Sequence, residues 1–119
     1  MFDHIGLPVR DLEVARRFYR AALAPLGHVQ DDSGTGFGPK GSPALWLYET
    51  KDKGASRTHL AFQATTRDAV ERFYRAGLEA GAKDNGKPGL RADYSPTYFA
   101  AFLIDPDGNN VEAVCLTET

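Results

Sequence analysis

The sequence is poor in the features that mark secreted, membrane-bound or nucleic-acid-binding proteins. Its single cysteine, Cys115, allows no internal disulfide and fits a reducing compartment. No apolar run approaches the roughly 20 residues of a membrane span, and the N-terminus lacks the layout of a signal peptide. With 14 Lys and Arg against 16 Asp and Glu, there is no positive excess to attract nucleic acid. These absences predict a cytoplasmic protein that binds neither membranes nor nucleic acid.

The sequence contains an internal repeat. RRFYRAAL at 16–23 recurs as ERFYRAGL at 71–78, and His4 recurs as His59, an offset of 55 positions from 4 to 59. Each half predicts a strand, a helix and further strands, a βαβββ unit, and a unit of about 55 residues is marginal alone. The predicted fold class is therefore α+β, with two pseudo-symmetric modules in a single domain, 1–119. Module one covers about 1–52 and module two about 57–119, with a polar linker over 51–56.

Periodicity and turn residues predict the elements of each module. In module one they are a strand over Phe2–Val9, a helix capped by Asp11 and stopped by Pro25 and Gly27, and strands around Phe37 and over Ala44–Glu49. In module two they are a strand over Arg57–Ala64, a helix capped by Thr65 or Thr66 and ended by Gly81, a loop over Lys83–Tyr94, and a hairpin. The hairpin arms are Tyr98–Ile104 and Val111–Leu116, joined by a type I turn over Asp105-Pro106-Asp107-Gly108.

Glu112 lies within the apolar return strand of this hairpin, and a buried carboxylate needs a cation, hydrogen bonds or a metal. Strand alternation places His4 opposite the aliphatic face of the first strand, and His59 opposite that of the strand after the linker. If the sheets curl around a shared cleft, both histidines meet Glu112 there. Two imidazoles and one carboxylate form the site of non-haem iron and related divalent ions. In the alternative interpretation, each histidine bonds a backbone carbonyl and Glu112 pairs with an arginine.

Further candidates surround this set. Trp46 and Tyr48 either line the pocket or belong to the core of their strand. Arg91 and Tyr94 lie in the loop before the hairpin, where an arginine can hold an anionic substrate, or they are solvated loop residues. Tyr98 can donate a hydrogen bond to a developing oxyanion. Cys115 fits a buried small apolar residue better than a nucleophile.

Three segments carry a resemblance to a known family: DHIGLPVRDLEVARRFY, HLAFQATTRDAVERFY and FLIDPDGNNVEAV. They resemble the vicinal oxygen chelate superfamily, the group of glyoxalase I, bleomycin-resistance proteins and extradiol dioxygenases. The resemblance implies a U-shaped mixed sheet around a cleft, with a divalent ion that chelates neighbouring oxygens of a substrate. It places metal ligands at His4, His59 and Glu112. Glu112 and Tyr98 are the candidate catalytic residues. Trp46, Tyr48, Arg91 and Tyr94 are the candidate substrate-binding residues.

Glyoxalase I has a fourth ligand, a glutamate on the last strand of the first module. Here the interior of that strand, ALWLYE, offers Trp46 and Tyr48, and Glu49 stands at its end. A three-ligand site makes dioxygenase- or transferase-like chemistry at least as well supported as a lactoylglutathione lyase. The resemblance implies Fe, Mn, Ni, Zn or Co as the ion and a homodimer, with modules paired within a chain or exchanged between chains. The alternative function is metal-free binding of a small molecule, as in bleomycin-resistance proteins.

Overall fold

The computed structural model describes residues 1–52 and 57–119, so most of the predicted linker, 53–56, lies outside the described residues. Module one contains β1 (Ile5–Val9), α1 (Leu12–Leu23), β2 (Val29–Gln30), β3 (Gly36–Gly38) and β4 (Leu45–Glu49), with a short 3-10 helix, Ala24–Leu26, after α1. Module two contains β5 (His59–Gln63), α2 (Arg67–Glu79), β6 (Lys83–Leu90), β7 (Phe99–Ile104) and β8 (Asn110–Cys115). No helix in the described ranges is long and apolar enough to cross a membrane.

The two modules have the same topology. Their strand orders are β1-β4-β3-β2 and β5-β8-β7-β6, with β1 parallel to β4, β5 parallel to β8 and the other pairs antiparallel. This confirms the α+β fold class and the two repeated βαβββ modules. Each module forms its own four-stranded mixed sheet.

Both helices begin and end where the sequence predicts. The Asp11 carboxylate accepts from the Val14 amide at 3.2 Å, and the Thr66 hydroxyl accepts from the Ala69 amide at 3.1 Å. Each bond satisfies an amide that has no partner within the helix. The chain leaves the two helical segments through Gly27 (φ 88°) and Gly81 (φ 99°), in a backbone region that glycine enters without strain.

One hydrophobic core joins the modules through their helices. Phe18 of α1 packs at Gly77 of α2, where an added Cβ would lie 3.2 Å from the Phe18 ring and 2.3 Å from Leu103 on β7. Leu7 and Leu60 belong to the same core cluster, from the first strand of each module. The helices therefore cover one face of each sheet. Along β1 and β5 the alternate positions, including Gly6 and Ala61, remain exposed on the opposite face.

The loop predicted over Lys83–Tyr94 is wrong, because Lys83–Leu90 forms β6 against β7. Its composition of Gly, Pro, Asp and Lys resembles a turn, and the pairing register shifts on both sides of Gly86 (φ 153°). The two-residue strand β2 was not predicted either. The first strand begins at Ile5, not Phe2, and the Phe2 side chain is 77% exposed.

Candidate metal site

The face of the second sheet that α2 does not cover gathers most of the candidate residues. Ala61, Glu112 and Phe102 are aligned across β5, β8 and β7, so they share this face, and His59 lies two residues before Ala61. The alternate positions Leu60, Val111 and Leu103 point into the core. The predicted division of the strand after the linker into an aliphatic face and a His59 face is therefore confirmed.

The hairpin turn fixes the register that brings Phe102 opposite Glu112. The Gly108 amide donates to the Asp105 carbonyl at 3.0 Å, and the Asp105 amide donates to the Asn109 carbonyl at 2.9 Å. Gly108 has φ 92°, so a type I turn is followed by a left-handed glycine, a common three-residue hairpin loop. The predicted turn is confirmed, and counting back from it pairs Phe102 with Glu112.

Glu112 is 2% exposed although it carries a carboxylate. The Tyr98 hydroxyl donates a short hydrogen bond to Oε2, and Nε2 of His59 lies 3.1 Å from Oε1. The His59 side chain is 50% exposed, so this pair sits at the boundary between the sheet surface and solvent. The buried carboxylate therefore has the partners that its burial requires.

The hydrogen bonds of His59 suit a metal ligand. Its Nδ1 lies 3.2 Å from the backbone carbonyl oxygen of Asn110, which can only accept, so Nδ1 carries a proton. A neutral imidazole then presents the lone pair of Nε2 toward the Glu112 carboxylate. Nε2 of His59 and Oε1 of Glu112 are both electron-rich and lie 3.1 Å apart, so a proton or a cation is required between them or beside them. An Nδ1–H bond to a backbone carbonyl is also the usual outer-shell partner of a metal-bound histidine, so the residues fit a divalent ion.

Tyr98 is held as a hydrogen-bond donor. Burial, followed by the hydrogen bond to Glu112 and the charge of that carboxylate, raises the pKa of Tyr98 to about 12. The phenol is therefore protonated at neutral pH. Its ring packs edge-on against Tyr94, with centroids 5.0 Å apart, while Tyr94 itself is 66% exposed.

Phe102 lies between the His59–Glu112 pair and Arg91. The rings of His59 and Phe102 are stacked with centroids 6.4 Å apart, and the Arg91 guanidinium lies 5.4 Å from the centroid of Phe102. Arg91 donates to the carbonyls of Gly89 and Lys87 at 2.9 and 2.6 Å. These bonds fix the arginine, and its five N–H groups leave donors for a ligand.

His4 lies apart from this group. It precedes β1 on the uncovered face of the first sheet, where Gly6 is aligned with Trp46 and Pro8 with Tyr48. Its Nδ1 is 2.7 Å from the Asp3 carboxylate. Within residues 1–52 and 57–119 of one chain, no three His, Cys, Asp or Glu side chains are grouped to hold a metal. One chain thus brings together His59, Glu112 and Tyr98, but not His4.

The profile of the Glyoxalase/Bleomycin resistance protein/Dioxygenase superfamily matches residues 1–113. The chain belongs to this superfamily. It is similar to the crystal structure of a glyoxalase/bleomycin resistance protein from Albidiferax ferrireducens T118, with 31% identity, TM-score 0.76, and coverage of 97% of this chain and 98% of that one. The family resemblance predicted from the sequence is confirmed.

Two more distant superfamily structures share the fold. A glyoxalase/bleomycin resistance protein/dioxygenase family enzyme from Burkholderia phytofirmans PsJN has 17% identity and TM-score 0.73, over 97% of this chain and 98% of that one. A glyoxalase/dioxygenase from Nostoc punctiforme has 23% identity and TM-score 0.71, over 99% and 92%. A comparison with curated proteins gave no match.

The repeat shows which residue of module one is equivalent to Glu112. Glu112 is aligned with Ala61, and Gly6, which is 55 positions before Ala61, is aligned with Trp46. Trp46 therefore occupies the position equivalent to Glu112. It lies over Gly36, where an added Cβ would come within 2.7 Å of the indole ring.

Glu49 does not place its carboxylate on the His4 face. It is aligned with Val9, whose side chain points into the core, and its Oε1 accepts from the Leu12 amide at 3.1 Å. Glu49 thus caps the start of α1. The first module offers a histidine and two aromatic side chains on its uncovered face, and its one nearby glutamate is engaged elsewhere.

Sequence reasoning missed two contributors to the site. Phe102 supports both His59 and Arg91, and the carbonyl of Asn110 orients His59. The hairpin register contained the signal for Phe102, because the Asp105–Gly108 turn determines which residue faces Glu112. A backbone carbonyl leaves no signal in the sequence.

Proposed function

We propose that the protein is a metal-dependent enzyme that acts on a small molecule with two neighbouring oxygen atoms. The observation that carries this proposal is the arrangement of His59 and Glu112, with Nδ1 of the imidazole bonded to a carbonyl and Nε2 directed at a buried carboxylate oxygen. Fe, Mn, Ni, Zn or Co would suit one carboxylate and imidazole ligands. When bound, such an ion would supply Lewis-acid stabilisation of negative charge on the substrate oxygens.

We further propose that His4 reaches the site from a second copy of the chain. Each chain has one uncovered sheet face with His4, Trp46 and Tyr48, and another with His59 and Glu112. A two-fold dimer that brings unlike faces together would create two equal sites, each with two histidines and one glutamate. The expected homodimer would then be required for activity, because neither chain holds a complete ligand set.

The surrounding residues would position the reacting groups. Tyr98 donates to Oε2 of Glu112, which fixes the carboxylate with Oε1 toward His59. Because its pKa is about 12, Tyr98 would serve as a hydrogen-bond donor to an oxyanion and not as a base. Arg91 would attract an anionic group of the substrate beside Phe102. Trp46 and Tyr48 of the second copy would form the aromatic wall of the cleft, with Tyr94 at its rim.

The reaction class favoured by these residues is dioxygenase- or transferase-like rather than lactoylglutathione lyase. In glyoxalase I the fourth ligand is a glutamate that also carries the proton. Trp46 stands at the place equivalent to Glu112, and Glu49 is bonded to the start of α1. An indole can neither bind the ion nor accept that proton, so the site would have three protein ligands instead of four. Three protein ligands would leave more coordination positions for a substrate and a co-substrate.

Metal content of mixed variants tests the shared site directly. His4→Ala and Glu112→Ala are each expected to lose the ion when prepared alone. Co-expressed as a mixture, half of the dimers would be mixed, and each mixed dimer would have one intact site. Elemental analysis should then find about one ion per four chains, against one per chain in the parent. No recovery in the mixture, with stoichiometric metal in the parent, would place all ligands within one chain and refute the shared site.

A second candidate function is metal-free binding of a small molecule. It is favoured by the fact that Glu112 already has two partners within the chain, Tyr98 and His59. A parent protein that stays metal-free after exposure to Fe(II), Mn(II), Ni(II) and Zn(II) would support it and overturn the enzyme proposal. The expected cytoplasmic location remains a prediction from composition.

A further inference from the structure

A cavity of about 190 Å³ lies between the two modules. Its lining does not include His4, His59 or Glu112. The walls are apolar and come from both modules: Ile5, Leu23, Phe37, Leu45, Leu60 and Phe62. A molecule bound here would contact β1, β3 and β4 on one side and β5 on the other.

His28 is the one polar side chain among the described lining residues. Its Nδ1 is buried and forms no hydrogen bond to any protein atom in the described part of the chain. Most buried polar side-chain atoms in folded proteins have a hydrogen-bond partner, so the imidazole of His28 has hydrogen-bonding capacity that the described residues do not use. Burial lowers the pKa of His28, which favours the neutral imidazole.

The volume and the apolar walls of the cavity indicate which kind of molecule fits it. An apolar cavity of about 150 Å³ accommodates benzene, so a volume of about 190 Å³ accommodates one aromatic ring with a small substituent. Phe37 and Phe62 contribute aromatic wall, and the rings of His28 and Phe62 have centroids 6.3 Å apart. We propose that this cavity is a second binding site, for a small neutral aromatic molecule with one hydroxyl group that pairs with the imidazole of His28. Phenol is the simplest such molecule.

The proposal is independent of the metal site and is tested by NMR titration of the ¹⁵N-labelled protein with phenol and with toluene. Both ligands should shift the amide signals of Leu45, Leu60 and Phe62. Toluene matches phenol in size but has no hydroxyl. In His28→Leu, the preference for phenol over toluene should fall by about three- to tenfold, the value of one hydrogen bond. In His28→Asn, whose amide stands near the position of Nδ1, part of that preference should return.

Two further variants keep the test decisive if His28→Leu fails to fold. Ala44→Phe places a ring in the cavity lining and should abolish binding of both ligands. Glu112→Gln should leave both affinities unchanged. Loss of phenol binding in Glu112→Gln would place phenol at the candidate metal site and overturn the proposal. An unchanged phenol preference in His28→Leu, or phenol binding that survives Ala44→Phe, would also overturn it.

Discussion

The hydrogen bond between Tyr19 and Asp105 joins the two modules and gives a measurable prediction. Tyr19 lies on α1 and is fully buried, and its hydroxyl donates at 2.5 Å to the carboxylate at the hairpin turn of module two. Asp105 is 4% exposed and accepts three more hydrogen bonds, from the Asp107 amide and from the amide and side chain of Asn109. The carboxylate thus holds both the turn and the helix of the other module.

Tyr19→Phe should remove this one bond and leave the remaining three. A hydrogen bond to a charged group contributes about 1.5–3 kcal/mol, and the variant does not leave Asp105 without donors, so we expect a loss of about 2 kcal/mol in the free energy of unfolding. For 119 residues, the unfolding entropy implies about 4 °C per kcal/mol, so the melting temperature should fall by roughly 8 °C.

The repeat supplies a matched control for this experiment. Tyr74 is the equivalent of Tyr19 in module two, and its hydroxyl interacts with Asp84, an exposed residue at the surface. Tyr74→Phe makes the same chemical change where water replaces the lost partner, so it should leave the melting temperature almost unchanged. Urea unfolding and thermal melting of both variants measure the difference. Equal losses in the two variants would refute the argument that burial of Asp105 gives the bond its value.

Other properties of the molecule can be tested in the same preparations. Gly36→Ala should destabilise the fold by about 1–3 kcal/mol and change the fluorescence of the single tryptophan, because the new Cβ would lie 2.7 Å from the Trp46 ring. Tyr98 should titrate near pH 12 by ultraviolet difference spectroscopy, and closer to pH 10 in Glu112→Gln. Its raised pKa stabilises the folded state below pH 10, and this contribution disappears as the pH rises through 12. Because the pKa of His28 is lowered in the folded state, the unfolded chain binds a proton on this imidazole more tightly. The free energy of unfolding should therefore fall as the pH drops below 6.5. His28→Leu should flatten this pH dependence in urea titrations at neutral and mildly acidic pH.

The sequence predicted those elements whose ends are set by neighbouring residues, namely the two helices and the terminal hairpin. Both helices begin at caps that the sequence displays, Asp11 and Thr66, and the terminal hairpin follows from its turn residues. The strand β6 escaped prediction because its stability comes from pairing with β7, while its own residues, KDNGKPGL, have low strand propensity. Pairing across distant segments overrides composition there, and no local pattern reveals it.

The candidate site divides in the same way. Alternation along β5 and the position of Glu112 in an apolar strand were visible in the sequence, and the structure places His59 and Glu112 in contact. The separation of His4 from this pair was not visible, since it depends on how the helices pack. Phe18, Gly77 and Leu103 meet in that packing, where a Cβ at position 77 would lie 2.3 Å from the Leu103 side chain. Sequence periodicity identifies the face of the strand on which a residue lies. It does not identify which face of another sheet that residue will contact.

The divergence between the modules explains how a repeated fold can hold an asymmetric site. A glutamate at the position of Glu112 in both modules would bring two carboxylates together wherever unlike faces pair. Trp46 stands at that position in module one, over glycine at position 36, while module two has Glu112 opposite Phe102. These two pairs occupy equivalent positions in the repeat, and position 36 has no room beneath Trp46 for a side chain like that of Phe102. Module one therefore has an aromatic wall on its uncovered face, and module two has a buried carboxylate on its own. In the proposed dimer, each site would combine the uncovered face of module one from one chain with that of module two from the other.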